Sequence, residues 1–375
     1  MRTVFFWLHL ALGVAAGAVI LAMCVTGVLL TYEKQMVAWM DTRELPALTP
    51  GKALPLEDLL ERARTKDGKL PSPVTIAADP MQPVQMTFGR DVRYVDPVDG
   101  HVLGLADAGI RQFFRTVTEV HRHLAATGPS RPTGRGITGA ANLAFLVIVA
   151  SGLYLWLPKV WTRTSLRVIS WFRGGLTGKA RDFNWHNAIG VWCFVPLLLI
   201  VLGATVISYP WATNLAYTLT GTKPPAPAPA PPAPKGAVVE LAGLNALWLR
   251  AAAYAPGWRS IALRPPTSAS ETVTFVIDGG YAGQPQKRVT LTLDRKTGEV
   301  RTAESFADFN LGRQLRTWLR FVHTGEYYGL PGQTIAGIAS LGGVFLVYTG
   351  IALAIRRLWA WRARSARQSR ATVNA

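Results

Sequence analysis

Polar and apolar positions along this chain follow two patterns. Residues 4–32, 137–157, 188–209 and 334–355 are apolar almost without interruption. Each stretch is long enough to cross about 30 Å of hydrocarbon as a helix rising about 1.5 Å per residue. Between them the pattern shortens. Residues 56–63 (LEDLLERA) have apolar positions at helical spacing, and the short runs 74–77, 84–88, 92–95 and 101–103 read as strands. The turn Asp96-Pro97-Val98-Asp99-Gly100 separates the last two, and residues 110–124 return to helix. The segment 211–330 has the same order. It begins with a stiff proline and alanine spacer, 224–234, followed by a helix at 244–253 and strands at 260–263, 272–277, 288–293 and 299–301. The turn Asp294-Arg295-Lys296-Thr297-Gly298 precedes the last strand, and a helix at 311–322 closes the segment.

Two alignments sharpen this into an internal repeat. Arg111-Gln112 stands ten residues before His121 as Arg313-Gln314 stands before His323, and the stretch from Phe6 to Gly13 matches that from Phe183 to Gly190 at Phe, His, Ala and Gly without a gap. The expected fold class is an α-helical membrane protein with four transmembrane helices in a tandem pseudo-twofold repeat, carrying two small α+β domains on one side. The expected boundaries are a first span at 1–33, a first outer domain at 34–136, and a second span at 137–158. A basic loop at 159–183 leads to a third span at 184–210. The linker and second outer domain occupy 211–332, before a fourth span at 333–356 and a basic tail at 357–375.

Charge orients this arrangement. The formal net charge of +18 suggests nucleic acid until it is divided by segment. Arg2, the loop after the second span and the tail hold thirteen basic residues against one acid, Asp182, whereas residues 33–135 hold fourteen against thirteen. The excess therefore gathers on one side of the spans, as the positive-inside rule requires of a cytoplasmic face. Nucleic acid is not an expected partner; the lipid bilayer is. Both termini are expected in the cytoplasm and both long loops outside it. The first apolar run exceeds a signal-peptide core and is expected to be retained. Cys24 and Cys193, the only cysteines, lie in different spans near opposite faces, and with no CxxCH there is no covalent haem attachment. Several of the thirteen tryptophans fall at span ends, as interfacial anchors do.

Of the six histidines, four occupy repeat-equivalent positions. His9 and His186 begin spans one and three, and His121 and His323 lie just outside spans two and four, so the repeat brings one histidine from each half together at each face. Two imidazoles alone leave most positions of a metal open, and a porphyrin would fill the rest. Two bis-histidine haem b groups are therefore the expected cofactors, ligated through His9 with His186 and His121 with His323. Gly13 and Gly190, four residues after a histidine, would make room on the same helix face. His123, where the repeat has Gly325, is the rival outer ligand, and His101 reads as an exposed turn residue.

The paired His-x-x-x-Gly elements, the Trp185-His186-Asn187 start of span three, His121-Arg122-His123-Leu124 and the stretch from His323 to Gly332 resemble the PepSY-associated transmembrane family across nearly the whole chain. Within it the chain resembles the FoxB-type ferrisiderophore reductases of the bacterial inner membrane. That resemblance implies two periplasmic PepSY-like domains and haem ligation at His9, His121, His186 and His323. It also implies an oxidoreductase that takes electrons from an unidentified cytoplasmic or membrane donor and reduces ferric siderophores in the periplasm, releasing Fe(II). Tyr327, Tyr328, Arg316 and Arg320 flank the outer site. Two alternatives stand beside it: a haem b cytochrome subunit of another reductive or respiratory pathway, and a non-redox PepSY-type regulatory or binding protein. PepSY domains are associated with inhibition of peptidases.

Overall fold

The structure, a computed structural model, describes residues 1–226, 239–266, 270–281 and 283–373. In chain order it contains helices α1 (Arg2–Leu30), α2 (Glu33–Thr42) and α3 (Leu56–Ala63), then strands β1 (Val74–Ala77), β2 (Val84–Phe88), β3 (Asp91–Val95) and β4 (Val102–Leu105). Helices α4 (Ala108–His123), α5 (Arg131–Trp156), α6 (Arg163–Ser170), α7 (Gly178–Ser208), α8 (Pro210–Leu219) and α9 (Leu244–Tyr254) follow. Strands β5 (Ser260–Arg264), β6 (Thr272–Asp278), β7 (Arg288–Asp294) and β8 (Val300–Ser305) precede α10 (Leu311–His323) and the long α11 (Gly329–Val373). Most of the expected proline spacer, residues 227–234, lies outside the described residues. The chain divides into two compact units, Met1–Tyr32 with Phe113–Thr213 and Trp318–Ala375, and Glu33–Gln112 with Asn214–Thr317.

The first unit is the membrane unit. Helices at Arg2–Leu30, Gly128–Trp156, Gly178–Ser208 and Glu326–Ala366 are long and apolar enough to cross a bilayer, so this is a multi-pass membrane protein. Their outward positions are apolar and exposed, among them Val14, Trp192, Val195 and Ile338, which suits contact with lipid rather than water. Helix α1 packs on α5 and α11, and α7 packs on the same two, so α1 and α7 stand at opposite corners of a four-helix ring. Small residues let the helices close up. A Cβ on Gly343 would meet the Cys24 sulfur at 2.7 Å, and one on Gly342 would meet the Cys193 sulfur at 2.5 Å. The two free, buried cysteines therefore act as packing groups against the Gly342-Gly343 pair. Asp182, on the first turns of α7, is almost fully buried and binds Arg181 at 2.8 Å and Arg356 at 3.3 Å, linking α7 to α11.

The second unit differs from expectation. The eight strands form one antiparallel sheet in the order β4-β3-β2-β1-β5-β6-β7-β8, where two separate small domains were expected. The joint is the pairing of β1 with β5, Val74 opposite Leu263 through Ala77 opposite Ser260. A strand edge left open by either half would expose unpaired N–H and C=O groups; pairing the two inner edges satisfies both sets. The alternation of the strands then turns Val74, Val84, Met86, Ile261, Leu263, Phe275, Leu291 and Leu293 into one core. Leu56, Leu59 and Leu60 of α3 and Leu244, Leu247 and Ala251 of α9 cover it, each set at helical spacing. The two helices also cap each other: the Glu57 amide donates to Asn245 Oδ1 at 3.0 Å and the Asn245 amide donates to Glu57 Oε1 at 2.9 Å.

Both expected turns form. The Gly100 and Gly298 backbones are left-handed, at φ of 76° and 70°, and Asp96 and Asp294 accept the turn amides of Val98, and of Lys296 and Thr297. The Thr297 amide, the Arg301 guanidinium and the Lys296 amide together hold the Asp294 carboxyl well below the usual carboxylate range. A depressed acid stabilises the fold above its unfolded pKa of about 3.9, and that contribution disappears as pH falls through the folded value. In melts from pH 7 to pH 2, Asp294→Asn should lower the melting temperature at neutral pH. The gap to the parent protein should begin to narrow below about pH 4 and go on narrowing to pH 2.

Helix α2 was not foreseen, because EKQMVAWMDT has no clean apolar stripe. Its place is set by one buried carboxylate, Asp41, which accepts the Tyr94 hydroxyl at 2.9 Å, the Asp107 amide at 2.7 Å and the Arg111 guanidinium. Burial and the Asp41 charge push the Tyr94 phenol up. Arg313, matched to Arg111 in the repeat, pairs instead with Glu304.

Candidate functional site

The histidines at matched sequence positions meet in two pairs. The rings of His9 and His186 lie 6.2 Å apart between centroids, and those of His121 and His323 lie 6.3 Å apart. His9 and His186 come from α1 and α7, the opposite corners of the ring, so their side chains converge across the bundle axis. His123 does not join the outer pair. It is buried against Glu119, whose carboxylate lies 3.0 Å from His123 Nδ1 and also accepts from Arg131. His101 stays in the exposed hairpin turn against Asp99.

The partners of each Nδ1 show which tautomer is present. Ser151 donates its hydroxyl to the Val147 carbonyl at 2.6 Å, so its oxygen accepts from His9 Nδ1 at 3.1 Å. Thr349 repeats the device, donating to the Phe345 carbonyl and accepting from His186 Nδ1 at 2.9 Å. Thr26 donates to the Ala22 carbonyl and accepts from His121 Nδ1 at 2.8 Å, while His323 Nδ1 donates to the Ile200 carbonyl at 2.8 Å. All four rings therefore carry the proton on Nδ1 and leave an Nε2 lone pair free. Burial, and then the neighbouring His323, push His121 down to about 4, and burial also lowers His323, so the outer rings are neutral near pH 7. Two neutral imidazoles can hold one electron-pair acceptor between them.

Glycines leave space on two sides of the inner rings. A Cβ on Gly13 would meet nothing within 4 Å, and one on Gly190 only Leu346 at 3.7 Å. The glycines against the inner rings are Gly152 and Gly350: a Cβ on either would stand 3.3 Å from a histidine Cε1, that of His9 and of His186 respectively. These residues and the hydroxyls beside them had a sequence signal: Ser151-Gly152 and Thr349-Gly350 are polar-then-small steps inside apolar runs, in matching contexts. Ser151→Ala, by removing the Nδ1 acceptor of His9, should cost about 1 kcal/mol in the melt of detergent-solubilised protein.

Neither pair draws in a third ligand. Among the described residues the one group of three or more metal-ligating side chains within mutual reach is Asp96, Asp99 and His101, in the hairpin turn. Its groups are already engaged: Asp96 accepts the Thr49 and Val98 amides, and Asp99 accepts the His101 amide.

No curated protein matches the chain. A family model, the PepSY-associated TM region, matches residues 6–357. Its description names a transmembrane region associated with PepSY domains. That match and the ligand grouping correct the expected chemistry. The expected two haem b cofactors, oxidoreductase activity and reduction of ferric siderophores do not hold, because among the described residues the four histidines stand as isolated pairs outside the one group of three or more ligating side chains. The match runs from the first span to the last turns of the fourth, and the chain belongs to the PepSY-associated transmembrane family.

Proposed function

We propose that this is a non-redox PepSY-type membrane protein that binds a partner through its sheet and serves a regulatory role. The β4 edge carries the reading. Val102 and Leu105 on that strand are 50% and 67% exposed, whereas the opposite edge, β8, is blunted by Arg301 and Glu304 in ion pairs with Asp294 and Arg313. Natural sheets protect apolar edges, and an open one takes an added strand from another chain. The association of PepSY domains with peptidase inhibition favours an extended segment of an envelope peptidase or its substrate.

In this reading the two PepSY-like halves face the periplasm of a bacterial inner membrane, and the basic loop and tail face the cytoplasm. The charge asymmetry supports that orientation. The mirrored strand order about β1 and β5 supports a duplicated origin of the two halves. His9 with His186 and His121 with His323 are the proposed ligand residues of two small sites in the membrane unit, supported by their shared tautomer.

A photo-cross-linker placed at Leu105 in the full-length protein should capture a discrete envelope protein in cells, and one placed at exposed Leu249 should not. Equal capture at both positions would remove the edge as the binding surface. Absorbance and metal analysis of the same purified protein test the non-redox part: stoichiometric iron with a Soret band would overturn it.

A further inference from the structure

The loop between the second and third spans is held more firmly than its length requires. Helix α6 ends in four carbonyls that the helix itself cannot satisfy, and side chains from the flanking spans supply the donors. Trp156 Nε1 donates to the Ile169 carbonyl at 3.4 Å, and Trp192 Nε1 donates to that of Ser170 at 2.8 Å. Asn184 Nδ2 donates to Val168 and Trp171 at 3.3 and 3.1 Å, while its Oδ1 accepts the Arg173 amide at 3.0 Å. Asn184 is itself buried.

This tethered segment surrounds a cavity of about 610 Å³ lined by Arg167, Val168, Trp171, Phe172 and Arg173. Asp182, the only acid between residues 159 and 183, is occupied by Arg181 and Arg356. Among the described residues Arg167 and Arg173 have no acidic partner, and they present their guanidiniums beside Trp171 and Phe172, which are 57% and 58% exposed. Trp171 meets Trp192 and Phe172 meets Trp185 edge-on, at 5.4 and 6.4 Å between centroids, yet more than half of each of the two loop rings stays exposed beside cations that have no acidic partner among the described residues. At a membrane surface the rings lie at the headgroup level and the guanidiniums match phosphate oxygens.

We propose that this cavity is a binding site for an anionic phospholipid of the adjoining leaflet, its headgroup phosphate held between Arg167 and Arg173 and its glycerol backbone against Trp171 and Phe172. A lipid fits better than a soluble anion because the rings of the site run onto Trp185 and Trp192 of α7, and a free phosphate would leave that apolar surface exposed.

The test is native mass spectrometry of the full-length protein in detergent, titrated with phosphatidylglycerol, phosphatidylcholine or inorganic phosphate. Phosphatidylglycerol should be retained at a defined stoichiometry. The double variant Arg167→Gln/Arg173→Gln should lose about tenfold in affinity, and Trp171→Ala should weaken binding with both charges intact. Arg362→Gln/Arg364→Gln, the same charge change on exposed α11, should bind as the parent does. Equal weakening in both double variants would reduce the effect to net charge and overturn the site. So would equal retention of phosphatidylcholine, or displacement of the lipid by millimolar phosphate. Unchanged melting temperatures establish that each variant is folded.

Discussion

Gly203→Ala is expected to force α10 away from α7 and to leave little folded membrane unit. The added Cβ would stand 2.5 Å from the Leu319 carbonyl oxygen and 2.8 Å from His323 Cβ. Neither is the far end of a flexible side chain, so no rotamer change relieves the contact and the two helices must part. Overpacking of this kind costs about 3 kcal/mol. Because His323 rides on α10 and donates to the Ile200 carbonyl from α7, the same movement separates His323 from His121. Melting of the solubilised protein, followed by tryptophan fluorescence, measures the loss. Gly13→Ala is the control: a Cβ there meets nothing within 4 Å, and the more helix-favouring residue should be neutral or slightly stabilising. Equal losses in the two variants would mean that the close contact of α7 with α10 is not what makes Gly203 necessary.

Phe275→Ala should be about as damaging in the sheet unit, at about 3–5 kcal/mol. Phe275 is fully buried and its strand, β6, packs into the core shared by both halves. If β1 and β5 make one cooperative sheet, amide exchange should rise together in β2 and β7 of the variant. Exchange that rises only in β5 to β8 would indicate two domains that merely touch. This experiment separates the observed sheet from the arrangement expected of the chain, and its readout does not depend on any ligand.

The four spans and all eight strands were legible before folding, because each is written in a local period: continuous apolar runs for the spans and alternation of two for the strands. Helices α3, α4, α9 and α10 were equally plain for their apolar spacing. Helices α2, α6 and α8 were not, since their order depends on contacts from elsewhere. Asp41 holds α2 through Tyr94, Asp107 and Arg111, and Trp156, Asn184 and Trp192 hold the end of α6.

The histidines show the same division. Their matched positions were visible in the alignment of the two halves. Which of His121 and His123 faces His323 was not, because neighbours two residues apart on a helix point in directions about 200° apart, and only the packing of α4 selects one. Gly152 and Gly350, beside the inner rings, were not legible for a related reason. A residue four positions along the same helix shares its face, but these two glycines sit on the neighbouring helices, α5 beside α1 and α11 beside α7, and no local period reports that.

Sequence alone therefore determined the spans, the strands, the helices with a plain apolar period and the matching of equivalent positions, since these follow from hydrophobicity and chain geometry over a few residues. Tertiary structure decided that two half-sheets become one. An unpaired strand edge is satisfied by whichever partner lies nearest in space, here β5 for β1, almost two hundred residues away.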